Sequence, residues 1–441
     1  MRFIHTSDWH LGHRLYGLSR FEEQKAFLDW LLEQIEHHQI DALIVAGDIF
    51  DTHNPSAQST RLYYQFLHRL NLIDPHVQTV VIAGNHDSAQ RLDAPRDVLQ
   101  ALNVHVVGSL PSLTSSDWDD IYIPLKERNG EVTAWVAAVP FLRSVDLPLR
   151  TSDPEDRLIN GVREVYQHAL SLLQPKLSPN QGVILTGHCQ MSKSVLSQDS
   201  ERKMPGFGDH TLPSDIFSPD EGAVASYVAL GHLHLAQSIS HCDWIRYSGS
   251  PLPFSVSERE YPHQVLLVEL EGDHLKEMTP IHVPQDIKRE MICIPNAPFV
   301  DADGTTRKSA PLVKILEEIK KLDPVDESIP EWRRPLLQIK VFCDTPDPTV
   351  KSKIIHALRD KHPRLTRLHN EYPERSFAPI TEAPTLHLAD IDPDDIFRAR
   401  WRDRRGSEPS EEFLSAFQEL RNEARVALNV DRDQEIAHAK T

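Results

Sequence analysis

Ala42-Leu43-Ile44-Val45-Ala46 is an unbroken apolar run, and it ends in Gly47-Asp48-Ile49-Phe50-Asp51, a glycine followed by two carboxylates. A short continuous apolar run is the pattern of a strand covered on both faces. Further strand candidates lie at residues 2–6, 79–83, 104–107, 134–139, 182–186, 227–230 and 264–270, most of them continuous apolar runs. Between the first two of these eight strands, Phe27, Leu28, Leu31, Leu32 and Ile35 form one helical stripe; between the next two, Leu62, Phe66, Leu67 and Leu70 form another. Buried strands alternating with one-sided helices predict a layered α/β domain with helices outside the sheet.

The 441 residues suffice for about three domains. A hydrophobic share of 40% with 25% charged residues excludes a disordered or collagenous chain. The longest apolar runs, such as 134–142, fall short of the ~20 residues that span a bilayer. Met1-Arg2-Phe3 leads into a polar, histidine-bearing segment in place of a signal peptide, so a cytoplasmic protein is expected. Cys189, Cys242, Cys293 and Cys343 lie far apart with no CxxC pair, which suits a reducing compartment and excludes a zinc or disulfide framework. The net charge of −18 argues against nucleic-acid binding through the overall field.

After residue 283 the pattern changes. Strands are expected at 291–294, 337–343 and 365–368, with helices at 312–322 and 350–359, a small β-α-β-α-β module. From Pro384 onward there is no strand signal. That segment holds the turn Asp392-Pro393, the basic run Arg398, Arg400, Arg402, Arg404 and Arg405, and a helix announced by Ser410 with Glu411 and Glu412 in its first turn. The expected division is residues 1–285, 286–383 and 384–441.

Five polar clusters follow apolar strands in the first domain: Asp8-x-His10, Gly47-Asp48-x-x-Asp51, Gly84-Asn85-His86-Asp87, Gly187-His188 and Gly231-His232-x-His234. In layered α/β sheets, ligand-handling residues sit beyond the carboxyl ends of strands, so all five can converge on one crevice. Carboxylate, imidazole and amide oxygen together suit Mn²⁺, Zn²⁺ or Fe²⁺. Asp8 and His10, two apart on an extended strand end, project to one side. His232 and His234 share that spacing, and a loop can direct them to different ions. Each cluster alone is compatible with ordinary turn and strand-end polarity; their joint occurrence in this order points to metal. Seven candidate ligands exceed one tetrahedral ion and fit two ions about 3.5–4 Å apart with a bridging carboxylate.

The ordered set DxH, GDxxD, GNHD, GH and GHxH resembles the signature of calcineurin-like metallophosphoesterases. The strings HTSDWHLG (5–12), VAGDIFDT (45–52), AGNHDS (83–88), ALGHLH (229–234) and YSGSP (247–251) resemble more narrowly its SbcD-type branch, the nuclease subunits of bacterial SbcCD complexes. The resemblance implies a calcineurin-like layered α/β sandwich, then a small α/β capping, DNA-facing domain and a C-terminal helical segment that binds an SMC-like ATPase. It implies one ion, most often Mn²⁺, on Asp8, His10, Asp48 and His234, and a second on Asp48, Asn85, His188 and His232. Water between them would attack phosphorus in line. His86 would be the general acid for the departing sugar oxygen, and Asp87 would orient its ring. Archaeal and eukaryotic relatives usually carry histidine where Asp51 stands, and Asp51 is not assigned as a ligand. His5, His13, His53 and His241 match no ligand position and are read as surface or packing residues.

The activity implied is a two-metal DNA nuclease: an ATP-dependent 3′–5′ exonuclease on double-stranded ends and an endonuclease on single strands and hairpins. It would serve DNA repair, recombination and replication as a homodimer within a heterotetramer, with the amphipathic helix after Asp51 as a candidate dimer surface and the SbcC-type ATPase supplying much of the DNA-binding surface. No sequence-reading motif is present. Arg61, Arg91 and Arg96 are local phosphate contacts or a solvated face. Phe413, Phe417, Leu420 and Ala424, with Leu414 and Leu428 beside them, form an apolar stripe that docks either on the ATPase coiled coil or on this chain's own fold. The arginine run before it faces either acidic coiled-coil residues or DNA. The alternatives are a stand-alone metallophosphatase or cyclic-nucleotide phosphodiesterase, against which the ~155 residues after the catalytic domain count, and a non-catalytic scaffold.

Overall fold

The computed structural model describes residues 1–148, 154–195, 211–218, 222–240, 242–301 and 304–373, and in the tail 397–398, 400–402, 408–410, 413–414 and 416–417. Residues 1–372 and 373–441 form two compact units. His241, the Asp392-Pro393 turn, Arg404, Arg405, Glu411, Glu412, Leu420, Ala424 and Leu428 lie outside the described residues.

Two six-stranded sheets make the larger part of the first unit. The first runs His274–His282, Gln264–Glu271, Arg2–Thr6, Ala42–Ala46, Gln78–Ile82, Val104–Val107, with its last four strands parallel. The second runs Gln237–Ile239, Cys242–Tyr247, Tyr227–Gly231, Gly182–His188, Val132–Ala137, Tyr122–Lys126, with its middle four parallel. Alternation along each strand of the first sheet sends side chains two ways. Phe3, Ala42, Ile44, Val80 and Ile82 face the second sheet in one core with Ile184, Tyr227 and Ala229. Ile4, Leu43, Val45 and Val81 face helices Phe21–His38 and Ala57–Ile73 in another. Helix Pro154–Leu173 adds Val162, Val165, Tyr166, Ala169 and Leu170 to the core of the second sheet. The fold is therefore a layered α/β sandwich with helices outside paired sheets.

The eight expected strands of this part are present with small shifts at their ends. Strands Tyr122–Lys126, Gln237–Ile239, Cys242–Tyr247 and His274–His282 are additional. Cys242–Tyr247 mixes Asp243 and Arg246 with apolar residues, and His274–His282 is an edge strand without a single buried residue, so neither shows a continuous apolar run.

Met291–Ile294, Ala310–Pro311, Leu336–Phe342 and Arg364–Glu371 form a third sheet, all parallel pairs, with Leu336–Phe342 in its middle. Leu337, Ile339 and Val341 pack on helices Leu312–Lys320 and Val350–Ala357 through Ile315, Ile319, Val350 and Ile354. The opposite face of the same strand turns toward the first sheets, where Leu336 and Met291 meet Leu15 and Val256. In the tail unit, the Leu414 N–H donates to the Ser410 carbonyl at 3.1 Å, the bond of a helix beginning there. Phe417 stacks on Phe397 at 4.3 Å and Phe413 meets Trp401 at a tilt at 4.7 Å, so these two aromatics of the apolar stripe contact their own unit. Among the described residues no helix is long and apolar enough to cross a membrane.

His5 shows how tightly the sheets close. It is fully buried, its Nδ1 lies 3.0 Å from the Tyr227 hydroxyl on the second sheet, and burial pushes its pKa down to about 3. The unfolded chain takes up a proton here as pH falls below about 6.5, whereas the folded one resists until far lower. Its contribution is thus complete above about 6.5 and lost progressively toward pH 3. Urea melts of His5→Gln between pH 4 and 6 are expected to lose about one proton, ~1.4 kcal/mol per pH unit, from the slope of stability against pH.

Candidate metal centre

Every one of the five clusters sits at the carboxyl end of a parallel strand, and the facing sheets bring those ends together. Gly47, Gly84 and Gly231 make the approach possible. A β-carbon at 231 would collide with the Ala46 carbonyl, one at 47 with the His188 ring, and one at 84 with the Asp48 carboxylate and backbone.

Asp8 and His10 reach the centre by a different route from strand alternation. Their strand ends at Thr6, and both residues adopt left-handed backbone, φ 55° and 43°. Asp48 (52°) and His232 (98°) do the same. Non-glycine residues rarely occupy this region, and such strain collects at functional sites held by their surroundings. The holding is visible here. After strand pairing ends, N–H groups of Asp8, His10 and Leu11 donate to the carbonyls of Gly47, Asp48 and Ile49 at 2.9–3.0 Å, lacing the two loops together. Gln24 clamps the turn from the helix side, donating to the His10 carbonyl at 2.8 Å and accepting from the Gly12 N–H at 3.0 Å.

The side chains converge. Asp48 Oδ2 lies 3.5 Å from His10 Nε2 and 3.3 Å from His188 Nε2. Asn85 Oδ1 lies 3.0 Å from both His188 Nε2 and His232 Nδ1. Potential ligand atoms of Asp8, His10 and His234, of His10, Asp48 and His86, and of Asp8, Asp48 and His188 fall within 4.8 Å of one another. All seven residues expected to be ligands are brought to one place.

The chemistry of the donors fits divalent metal. Among the described residues neither ring nitrogen of buried His10 has a hydrogen-bond partner, which leaves both open to a ligand. The Nδ1 of His188 faces the Ala46 carbonyl at 2.9 Å, which can only accept, so Nδ1 donates there and Nε2 is the nitrogen turned toward Asp48, where a metal ion would replace its proton. The Nδ1 of His234 lies 2.9 Å from Glu258 in the same way. Orientation of an imidazole by a carbonyl or carboxylate on its far nitrogen is characteristic of metal-ligating histidine.

Charge within the cluster is strongly redistributed. Burial pushes Asp8 up to about 6 against the pull of His188 and His234. Burial would raise Asp48 as well, but His188 and His10 hold it well below the carboxylate range. Burial would lower His188, and Asp48 outweighs that, pushing it up to about 9. Burial, with His188 adding to it, takes His232 down to about 3.

His86 and Asp87 part company. The His86 N–H donates to Asp48 Oδ1 at 2.8 Å, and its Nδ1 lies 2.8 Å from the Asp51 carbonyl. The group orienting the His86 ring is therefore Asp51, through its backbone, and not Asp87 as expected. Asp87 instead accepts from the N–H groups of Ile49, Phe50 and Gly84 at 2.9–3.1 Å and ties the second and third loops together. The Asp51 carboxylate lies 3.7 Å from His10 Nδ1. Arg96 pairs with Asp93 and Asp120, whereas Arg61 and Arg91 are exposed.

Two contributors carried no sequence signal. Glu258, fully buried, holds both His234 and the Phe254 N–H, and His234 keeps its pKa low despite burial. The Phe254 ring covers His10, His13 and His234, each at 4.8 Å.

Likeness to known proteins decides the family. Residues 1–236 match the calcineurin-like phosphoesterase family, and residues 306–405 match the type 5 capsule protein repressor C-terminal domain. The SbcD component of the SbcCD nuclease of Rhodobacter capsulatus is 37% identical over 403 residues, 90% of this chain and 94% of that protein. The chain belongs to the SbcD family of calcineurin-like phosphoesterases. Two other members are similar over shorter spans. The Escherichia coli K12 protein is 36% identical over 290 residues, 64% of this chain and 68% of its own. The Bacillus subtilis protein is 35% identical over 276 residues, 61% and 66%. Within this SbcD family member, Glu258→Gln keeps the shape of the His234 partner and removes its charge. Mn²⁺ affinity measured by calorimetry is expected to fall about 10–100-fold, with the thermal midpoint of the metal-free chain little changed.

Proposed function

We propose that the chain is the nuclease subunit of an SbcCD-type complex, hydrolysing DNA phosphodiester bonds at a site for two divalent ions, with Mn²⁺ favoured by the family. The observation that carries this is Asp48 Oδ2 lying within 3.5 Å of both His10 and His188, with buried His10 making no hydrogen bond among the described residues. Asp8, His10, Asp48 and His234 would hold one ion and Asp48, Asn85, His188 and His232 another, with Asp48 shared between them. Ions held there supply Lewis acidity, acidifying water and neutralising charge that builds on the phosphate oxygens.

The chain's own residues supply the rest. Gln24, Asp87 and the laced loops hold the ligand residues in strained backbone, so their geometry is set before substrate arrives. His86 has its Nδ1 committed to the Asp51 carbonyl, which directs Nε2 as the atom that hands a proton to the departing sugar oxygen. Asp87 acts on that step only through the loop it ties. Phe254 excludes water from the His10 side.

DNA as substrate is supported by the family and by a groove of about 550 Å³ between residues 256–260 and the open face of the third sheet. Arg259, Lys308, Lys340 and Arg367 line it against Glu260 and Glu371, a local basic surface on an acidic chain. Backbone contacts of this kind position any sequence. The remaining reading follows the family: an SbcC-type ATPase partner engaging the C-terminal segment, a homodimer within the complex, ATP-dependent 3′–5′ exonuclease and hairpin endonuclease action, and work in the cytoplasm on DNA repair, recombination and replication.

The test is cleavage of end-labelled hairpin DNA by the purified chain with Mn²⁺, alone and with the ATPase and ATP, beside His86→Ala. The variant is expected to lose about 10²–10⁴-fold in rate with its metal content unchanged. Turnover of bis-p-nitrophenyl phosphate without DNA cleavage under either condition would assign the centre to small phosphodiesters instead.

A further inference from the structure

Arg20, Glu23 and Arg289 are 2%, 1% and 6% exposed, a buried Arg–Glu–Arg group far from any solvent role. Arg20 grips Glu23 with two parallel bonds of 3.0 and 2.7 Å. Burying such a pair seldom adds stability over apolar residues of the same volume, so its retention asks for another reason.

The remaining bonds of the group supply that reason. Arg20 also donates to the Pro253 carbonyl, and its guanidinium lies 5.8 Å from the Phe254 ring that covers His10. Glu23 accepts the backbone N–H of Arg289 at 3.0 Å, at the entry to the third sheet. Arg289 in turn donates to the carbonyls of Arg334 and Glu331, just before the middle strand of that sheet. Next to Glu23 in the chain, Gln24 holds His10 and Gly12. One helical turn thus holds the His10 loop, the Phe254 cover and the base of the third sheet.

We propose that Arg20 and Glu23 are positioning residues for phosphodiester cleavage, fixing the Phe254 cover and the His10 turn to the placement of the third sheet. This rests on the nuclease reading above, and the variants are chosen to separate the two. The double substitution Arg20→Met with Glu23→Leu removes one charge of each sign and leaves the Arg289 guanidinium on the Arg334 and Glu331 carbonyls, where a single substitution would break the Arg20–Glu23 pair and strand a buried charge. Thermal melting and hydrogen exchange are read on the metal-free full chain, and kcat and KM for bis-p-nitrophenyl phosphate at saturating Mn²⁺.

The expected result is an unfolding midpoint close to wild type, faster amide exchange at residues 8–12 and 252–258, and kcat lower by about 10–100-fold with KM within about twofold. Wild-type exchange in both segments, or wild-type kcat in a folded variant, would overturn the proposal, as would a loss that more Mn²⁺ fully restores. A wild-type chain that turns over no phosphodiester would refute the nuclease reading instead, and unchanged exchange in the variant would still refute the positioning role independently.

Discussion

Ala46 ends its strand with a carbonyl directed across the molecule, where it accepts a hydrogen bond from His188 and where a β-carbon on residue 231 would collide with it. Everything at the metal centre depends on this approach of two sheets at their carboxyl ends. Loops that follow parallel strands all leave from the same edge, so once the edges touch, clusters separated by more than two hundred residues become neighbours. The glycines before Asp48, Asn85 and His232 are therefore a packing requirement. They let backbone and ring pass within a distance that no side chain permits.

Proximity has an electrostatic cost, and the cluster's composition answers it. Asp8 and Asp48 are buried beside each other, and each would raise the other's pKa in isolation. Five imidazoles surround them, but burial lowers the proton affinity of His10 and His232, so protons alone do not neutralise the group evenly. Oxygen and nitrogen donors that are well oriented yet poorly served by protons constitute a cation site. The left-handed backbone at Asp8, His10, Asp48 and His232 is the conformational cost of aiming them, and the interloop hydrogen bonds sustain it.

Much of this was legible because strand burial and motif order are local signals. Asp8, His10, Asp48, Asn85, His188, His232 and His234 all lie in polar clusters that follow strand signals, and the fold brings all of them together. What escaped was set by partners distant in the chain. Glu258 and Phe254 lie in a stretch with no strand or metal pattern, and only the chain's return past His234 gives them a role. Asp87 sits beside His86 in sequence, yet its carboxylate turns toward three backbone N–H groups, because buried orphan donors at Ile49 and Phe50 compete for it more strongly than one ring does. The turn at Asp8–His10 escaped for the same reason: its geometry is imposed by the loop after Ala46.

A net charge of −18 and a polyanionic substrate are reconciled by distance. Exposed charges more than about 8–10 Å apart are largely screened at physiological salt, so the chain's total matters less than the groups within reach of a phosphate. The chain offers such groups locally, in a groove lined by Lys308, Lys340 and Arg367 with Arg259 paired to Glu260, and in a centre whose buried carboxylates suit cations. Arg96 illustrates the opposite case: its two aspartate partners consume its charge, and nearness to a motif in sequence confers no phosphate-binding capacity. An acidic excess of this size opposes a polyanion everywhere except where local positive charge or bound cations outweigh it.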